Sequence, residues 1–225
     1  IAEANGISPE NVVIGNGSDD IIALLVRALI RPGDRVMVPR PSFLMYAIAA
    51  TAGGAAVDAV PLNDLSMDLE AMADQIRTDT RLVFVCNPNN PTGTIVTQKD
   101  FNRFMARLPD NVVVVVDEAY IEFARNRDCL KTGSPADVNR PLVTLRTFSK
   151  AYGLAGLRVG YGIMPAVLAE VLNRVRQPFN VNAVAQAAAT AALDDRTFLQ
   201  QTVSLVHRGL DDMYAALDKR GLGYF

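Results

Sequence analysis

Short runs of β-branched residues alternate with segments of helical hydrophobic spacing along almost the whole chain. Asp19–Ile30 carries apolar residues three and four positions apart, as an amphipathic helix requires, and a Pro-Gly pair then ends it. Val112–Val116 is an unbroken valine run, which is typical of a strand buried on both faces of a mainly parallel sheet. The same pattern predicts further strands at Val12–Ile14, Arg35–Val38, Ala56–Val60, Arg81–Cys86, Pro141–Leu145 and Arg158–Met164, and further helices at Met45–Ala52, Leu69–Arg77, Lys99–Arg107, Pro165–Arg176, Ala183–Leu193 and Thr197–Lys219.

This alternation predicts an α/β fold, a three-layer α/β/α arrangement around a mainly parallel sheet. Ligands of such sheets bind beyond the carboxyl ends of the strands. Polar or turn-forming residues follow four of the predicted strands, at Gly15–Asp19, Asn87–Gly93, Asp117–Tyr120 and Thr147–Lys150. We therefore expect these four segments to meet at one edge of the sheet and to form the functional site.

Composition narrows the class of function. The chain has 225 residues, half of them hydrophobic, which is enough for a sizeable core. Its net charge is −2 and it contains no run of basic residues, which argues against nucleic acid and membrane partners. Cys86 and Cys129 form no CxxC pair, so we expect reduced thiols in a cytoplasmic protein. His207 is the single histidine, and the sequence therefore predicts no metal site and no histidine-based triad.

Asp117 and Lys150 carry the clearest chemistry at these strand ends. Asp117 directly follows the valine run, where a carboxylate needs a cationic or hydrogen-bonded partner, although a helix-capping aspartate is the alternative. Most lysines are solvated surface charges, but Lys150 has Ser149 beside it and Arg158 eight residues on, and a hydroxyl and a guanidinium bind phosphate well. The turn Gly15–Asp19 adds backbone N–H groups at a helix start, as an ordinary N-cap turn also would.

Together these groups describe a ligand with an aldehyde, a ring nitrogen and a phosphate. The Lys150 amine can form a Schiff base with an aldehyde. Asp117 can keep a pyridinium nitrogen protonated, which makes the ring an electron sink. Tyr120 and Asn90 can donate hydrogen bonds to a phenolate oxygen of the ring, and Phe43 can stack on its face.

Three motifs carry a family resemblance. Asn87–Gly93, Asp117–Tyr120 and Ser149–Gly160 resemble, in this order, the fold-type-I pyridoxal-phosphate-dependent aminotransferases of class I and II, and the resemblance covers essentially the whole chain. Within this family, Asp117–Phe123 and Arg146–Lys150 are most similar to histidinol-phosphate aminotransferases. Threonine-phosphate decarboxylases, other amino-acid aminotransferases and the non-catalytic ligand-sensing domain of a regulator remain alternatives.

The resemblance implies pyridoxal 5'-phosphate as the cofactor and a role for each candidate residue. Lys150 would be the catalytic residue, which anchors the cofactor and moves a proton between the substrate Cα and the cofactor carbon C4′. The phosphate would bind Ser18, Asp19, Ser149 and Arg158, the first two largely through their backbone N–H groups, with Thr147 as a weaker candidate. The full set of expected cofactor-binding residues is Ser18, Asp19, Phe43, Asn90, Asp117, Tyr120, Ser149, Lys150 and Arg158.

The resemblance also implies the organisation and function of the whole protein. Residues 1–195 would form the cofactor-binding large domain, incomplete at its N-terminus, and residues 196–225 a long helix that leads into a truncated C-terminal small domain. The protein would transfer an amino group from a small-molecule donor, L-histidinol phosphate first of all, to a 2-oxo acid such as 2-oxoglutarate in histidine biosynthesis. It would act as a cytoplasmic homodimer, and these 225 residues alone would be incomplete for turnover.

Overall fold

A seven-stranded sheet forms the centre of the structure, a computed structural model that describes residues 1–224. The strands are β1 (Val12–Gly15), β2 (Arg35–Arg40), β3 (Ala56–Pro61), β4 (Thr80–Cys86), β5 (Val113–Asp117), β6 (Leu142–Thr147) and β7 (Gly160–Ile163). They lie in the order β1-β7-β6-β5-β4-β2-β3, and β7 alone runs in the direction opposite to the other six. The predicted α/β class with a mainly parallel sheet is confirmed; Phe225, the last residue of the predicted segment 196–225, lies outside the described residues.

Helices cover both faces of this sheet. They are α1 (Ala2–Asn5), α2 (Ser18–Leu29), α3 (Met45–Ala52), α4 (Leu69–Asp74), α5 (Gln98–Met105), α6 (Ala166–Val175), α7 (Ala183–Asp194) and α8 (Arg196–Asp218). The core on one face includes residues of α2, α3 and α6, the core on the other includes residues of α4 and α5, and α7 packs with β7. Within residues 1–224, no helix combines the length and the apolar character that crossing a membrane requires.

The valine run owes its uniform composition to these two layers. Val115 packs into the core beneath α2 and α3, whereas Val114 and Val116 pack into the core beneath α4 and α5. All three are completely buried. Successive residues of a strand point to opposite faces, so a strand covered on both sides needs apolar residues at every position.

Several predicted boundaries differ from the structure by one to three residues, and two of these differences have a clear local reason. The helix predicted over Leu69–Arg77 ends at Asp74, because Arg77 and Thr80 form a turn in which Arg77 N donates to Thr80 Oγ1 at 3.0 Å. The strand predicted from Arg158 begins at Gly160, because Arg158 adopts a left-handed conformation with a φ of 57°. This turn points the Arg158 side chain towards the start of α2 instead of along the sheet.

Helix α8 stands apart from the two cores, since none of its residues is buried. It contacts the loop that follows β5 through a few polar groups. Arg125 Nη1 lies 2.6 Å from Asp211 Oδ1, and Nε2 of His207 lies 3.0 Å from the carbonyl oxygen of Phe123. The single histidine therefore contributes to the attachment of this helix.

Candidate functional site

A pocket lies at the carboxyl ends of β4, β5 and β6. Its lining includes Ser18, Asp19, Phe43, Cys86, Asn90, Asp117, Ala119, Tyr120, Thr147, Lys150 and Arg158. All four predicted segments therefore meet at one edge of the sheet. Of the nine expected cofactor-binding residues only Ser149 does not line the pocket. Its hydroxyl oxygen lies 3.4 Å from Nη1 of Arg158, which does line it.

Asp117 is the last residue of β5 and is 3% exposed. Its Oδ2 accepts a hydrogen bond of 2.8 Å from the Tyr46 hydroxyl, and its Oδ1 accepts one of 3.1 Å from the N–H of Ala119. Burial raises the pKa of this carboxyl to about 6, although both hydrogen bonds oppose the shift. Helix capping does not explain the residue, because Tyr120 occupies the N-cap of the next helical turn.

Cys86 is a pocket residue that the sequence analysis missed. It is the last residue of β4 and pairs with Asp117 across the two parallel strands. Burial, together with the neighbouring Asp117 carboxylate, raises the pKa of its thiol to about 12. Its position at a strand end, immediately before the Asn-Pro motif, is the sequence feature that could have identified it as a pocket residue. The thiol is therefore neutral at physiological pH and adds no charge to the pocket floor.

The three asparagines of segment Asn87–Gly93 have different tasks. Asn87 is fully buried and binds the carbonyl oxygen of Leu130 at 2.9 Å. Asn89 is also buried, and its Oδ1 accepts a hydrogen bond of 2.8 Å from Ser42. Asn90 is half-buried and lines the pocket. The first two asparagines thus fix the loop, and the third is available to a ligand.

The first residues of α2 and the Arg158 guanidinium lie together at one side of the pocket, and we call this group of anion-binding donors the anion cradle. Ser18 and Asp19 are the first residues of this helix, whose N-terminal N–H groups and dipole favour a negative charge. Arg158 reaches the same place: its Nη2 lies 3.4 Å from Asp19 Oδ2, and its Nη1 lies 3.4 Å from Ser149 Oγ. The four predicted phosphate-binding residues therefore lie close together.

Two glycines allow this close approach. A Cβ at Gly160 would lie 2.6 Å from the backbone nitrogen of Ser18, and neither strand nor helix backbone can yield cheaply. A Cβ at Gly17, which has a φ of 75°, would lie 2.5 Å from Arg158 Nη2. The cradle therefore depends on glycine at both positions, because a side chain at either would displace the helix start or the guanidinium.

Lys150 lies in the turn after β6, and its side chain is exposed. Its Nζ is 5.1 Å from the centre of the Tyr120 ring, within the range of a cation–π contact. Thr147, the last residue of β6, is buried and also lines the pocket. The pocket thus combines an amine that a carbonyl compound can reach, a buried carboxylate and an anion cradle.

The chain matches the family described as Aminotransferase class I and II over residues 2–225. It is 47% identical over 225 residues to histidinol-phosphate aminotransferase 2 of Carboxydothermus hydrogenoformans, a match that covers 100% of this chain and 62% of that protein. It is 48% identical over 221 residues to histidinol-phosphate aminotransferase 2 of Ralstonia nicotianae, covering 97% of this chain and 59% of that protein.

A solved structure gives the same result. The crystal structure of histidinol-phosphate aminotransferase from Sinorhizobium meliloti in complex with pyridoxal-5'-phosphate superimposes with a TM-score of 0.92 at 29% identity. The match covers 99% of this chain and 61% of that one, so the chain spans about three fifths of the length of these relatives. Because the family match extends over residues 2–225, this protein belongs to the class I and II aminotransferases.

Proposed function

We propose that the full-length protein is a pyridoxal-phosphate-dependent aminotransferase that transfers the amino group of L-histidinol phosphate to 2-oxoglutarate. The observation that carries this proposal is the meeting of Lys150, Asp117 and Arg158 at one pocket. The choice of amino donor is supported by the names of relatives that are 47% and 48% identical. Residues 1–195 act as the cofactor-binding domain, and residues 196–225 lead into a second domain.

The donor groups of the pocket fit pyridoxal 5'-phosphate. Its phosphate matches the cradle formed by the start of α2 and Arg158, where N–H groups and a guanidinium are available. Its pyridinium nitrogen matches Asp117, a buried carboxylate for which residues 1–224 provide no salt-bridge partner. Its aldehyde matches the amine of Lys150.

The remaining pocket residues would orient the ring. Phe43 provides an aromatic face for stacking, and Asn90 and Tyr120 provide donors for the phenolate oxygen. Asn90 follows a loop that two buried asparagines hold, and Tyr120 follows Asp117 by three residues. A ring held from three sides in this way keeps its reactive carbon at a fixed position relative to Lys150.

The bound cofactor supplies a carbonyl carbon that exchanges with amines and a cationic ring that withdraws electrons from the reacting carbon. With the cofactor bound, the Lys150 amine would take the proton from the substrate Cα as general base. Asp117 would keep the proton on the ring nitrogen, and its burial would strengthen that interaction. Arg158 and the start of α2 would hold the phosphate. These contacts would fix the position of the cofactor's reactive carbon relative to Lys150.

Two further features belong to this proposal. None of the residues of α8 is buried against the rest of the chain, which supports a domain boundary near residue 195. Cys86 and Cys129 are buried free thiols, which suits a protein of the reducing cytoplasm. A homodimer follows from the family resemblance, and sedimentation of the full-length protein tests it.

A transamination assay on the full-length protein tests the function. L-Histidinol phosphate with 2-oxoglutarate should give glutamate at a kcat/KM above that of other amino donors, and release of CO₂ from O-phosphothreonine should be absent. Lys150→Ala should abolish turnover. Lys99→Ala, which removes an exposed lysine of α5, should leave turnover unchanged.

Other outcomes would replace the proposal. Preferred turnover of O-phosphothreonine with CO₂ release would identify a decarboxylase, and preference for another amino acid would identify a different aminotransferase. Binding of pyridoxal phosphate without turnover of any amino donor would identify a ligand-sensing protein.

A further inference from the structure

The contact between Tyr46 and Asp117 has no part in the function described so far. Tyr46 belongs to α3 and is completely buried, yet its hydroxyl donates to Asp117 Oδ2 at 2.8 Å. A hydrogen bond between two buried groups is strong when one of them is ionised, because water cannot replace it. Tyr46 does not line the pocket itself, so it would act on a ligand only through the carboxylate.

Packing holds the Tyr46 ring in one place. The ring stacks on Phe84 with centroids 4.5 Å apart and an angle of 10° between the planes. The edge of a second ring, that of Phe43, meets it at 5.5 Å and 82°. Phe43 in turn lines the pocket. The hydroxyl position is therefore set by the hydrophobic core, and its direction towards Asp117 is part of the fold.

We propose that Tyr46 is a positioning residue for the cofactor: its buried hydroxyl fixes the orientation of the Asp117 carboxylate and holds it in the ionised form that a pyridinium nitrogen requires. The second oxygen of the carboxylate is held by the N–H of Ala119, so the two donors fix both ends of the group. The inference rests on the proposed function in one respect, the identity of the ligand.

The charges around Asp117 make the hydroxyl important. Burial raises the pKa of Asp117 to about 6, and among the groups that oppose this shift the Tyr46 hydroxyl has the largest effect, ahead of Ala119 N–H and Lys150. Asp19, at the start of α2, raises the pKa, and the Cys86 thiol from β4 is neutral at physiological pH. Loss of the hydroxyl therefore moves the titration of Asp117 towards neutral pH, where part of the carboxylate would be protonated.

Tyr46→Phe isolates this effect, because it keeps both ring contacts and removes only the hydroxyl. In the full-length protein we expect the affinity for pyridoxal phosphate to fall about tenfold at neutral pH. The loss should become smaller as the pH rises, since the Asp117 carboxyl then ionises without help. Affinity for inorganic phosphate should be unchanged, because the cradle at Arg158 is intact, and this ligand also reports on folding.

Titration of pyridoxal phosphate by calorimetry across pH, with a double-mutant cycle, tests the proposal. Tyr46→Phe should have little further effect in a protein that carries Asp117→Asn, because Tyr46 acts through that carboxylate. Tyr152→Phe is the control, since this half-buried tyrosine is outside the described pocket lining. Equal losses in both backgrounds, or a loss for pyridoxal phosphate that inorganic phosphate shares, would overturn the positioning role.

Failure of the proposed function would look different. If the wild-type protein bound no pyridoxal phosphate, the cofactor assignment would be wrong whatever Tyr46 does. The contact itself is then tested by carbon-13 NMR of the aspartate carboxyls in the ligand-free protein, with Asp117→Asn to assign the signal. A pKa of Asp117 that is higher in Tyr46→Phe than in wild type supports the inference, and an unchanged pKa overturns it.

Discussion

Asp117 and Glu118 are consecutive acids at the end of β5, both buried, and their surroundings differ in kind. Glu118 is enclosed: Oε2 lies 2.8 Å from Nη2 of Arg146, and Oε1 accepts a 2.9 Å hydrogen bond from the Thr132 hydroxyl. Asp117 faces the pocket and has two uncharged donors, Tyr46 and Ala119. The Glu118 carboxylate is therefore part of the protein's internal structure, whereas the Asp117 carboxylate is available to a ligand.

The difference shows that burial by itself does not identify a functional acid. Burial raises the pKa of both groups. At Glu118 the guanidinium of Arg146 opposes the shift most strongly, whereas at Asp117 the Tyr46 hydroxyl does so and residues 1–224 provide no salt-bridge partner. A buried charge whose partner comes from the protein is already compensated within the fold, and removal of either partner is costly. A buried charge that lacks one is the better candidate for a cationic ligand.

The largest effect should come from Asp117→Asn. An amide carries no negative charge and cannot form an ion pair with a pyridinium nitrogen, so we expect the affinity for pyridoxal phosphate and the transamination rate to fall about a hundredfold or more. Inorganic phosphate should bind as before, since the cradle is untouched. Calorimetry with both ligands checks this, and equal binding of pyridoxal phosphate to the variant and the wild type would remove the distinction between the two acids.

Glu118→Gln should lower the stability of the protein and leave its affinity for pyridoxal phosphate almost unchanged, in contrast to Asp117→Asn. It leaves the Arg146 guanidinium half-enclosed without a counter-charge, which should lower the free energy of unfolding by about 3 kcal/mol. The protein that remains folded should bind pyridoxal phosphate almost normally. Urea unfolding measures the first effect and calorimetry the second. A variant that keeps its stability but loses cofactor affinity would mean that Glu118, too, belongs to the site.

Asp117→Asn should also stabilise the ligand-free protein, by about 1 to 3 kcal/mol at neutral pH. The folded-state pKa of Asp117, about 6, lies above its value of about 3.9 in an unfolded chain, so the ionised carboxylate disfavours the fold. This penalty is absent below about pH 4 and grows as the pH rises through about 6. Unfolding curves should therefore separate the two proteins at neutral pH and converge in acid; a constant difference would contradict the account.

The smallest effect concerns the anion cradle. Asp19 pairs with Arg158 at 3.4 Å and competes with an incoming phosphate, but both side chains are about two fifths exposed and solvent screens them. Asp19→Asn should raise the affinity for inorganic phosphate a few-fold, and less at high salt. Asp20→Asn is the matched control on the same helix start, because Asp20 binds Asn16 and Asn180 instead. An equal gain in both variants would indicate a general charge effect.

The sequence predicted the sheet, its mainly parallel character and the meeting of four segments, because valine runs and turn residues determine strands and turns through short stretches of neighbouring residues. It did not predict the role of Tyr46, which lies in a helix among apolar residues and whose hydroxyl direction depends on packing against Phe84. It placed Arg158 in a strand, since nothing local signals a left-handed arginine. Nor did it predict the contact between the Ser149 hydroxyl and Arg158, which depends on the left-handed turn at that arginine.

Covalent attachment at Lys150 is the most direct test of the proposed cofactor. The full-length protein would be incubated with pyridoxal phosphate, reduced with borohydride and digested, and the modified peptide identified by mass spectrometry, alongside Lys150→Ala and Lys99→Ala. We predict one adduct, on Lys150, in the wild type and in Lys99→Ala, and none in Lys150→Ala. An adduct on other lysines that persists in Lys150→Ala, or no adduct in the wild type, would contradict the assignment.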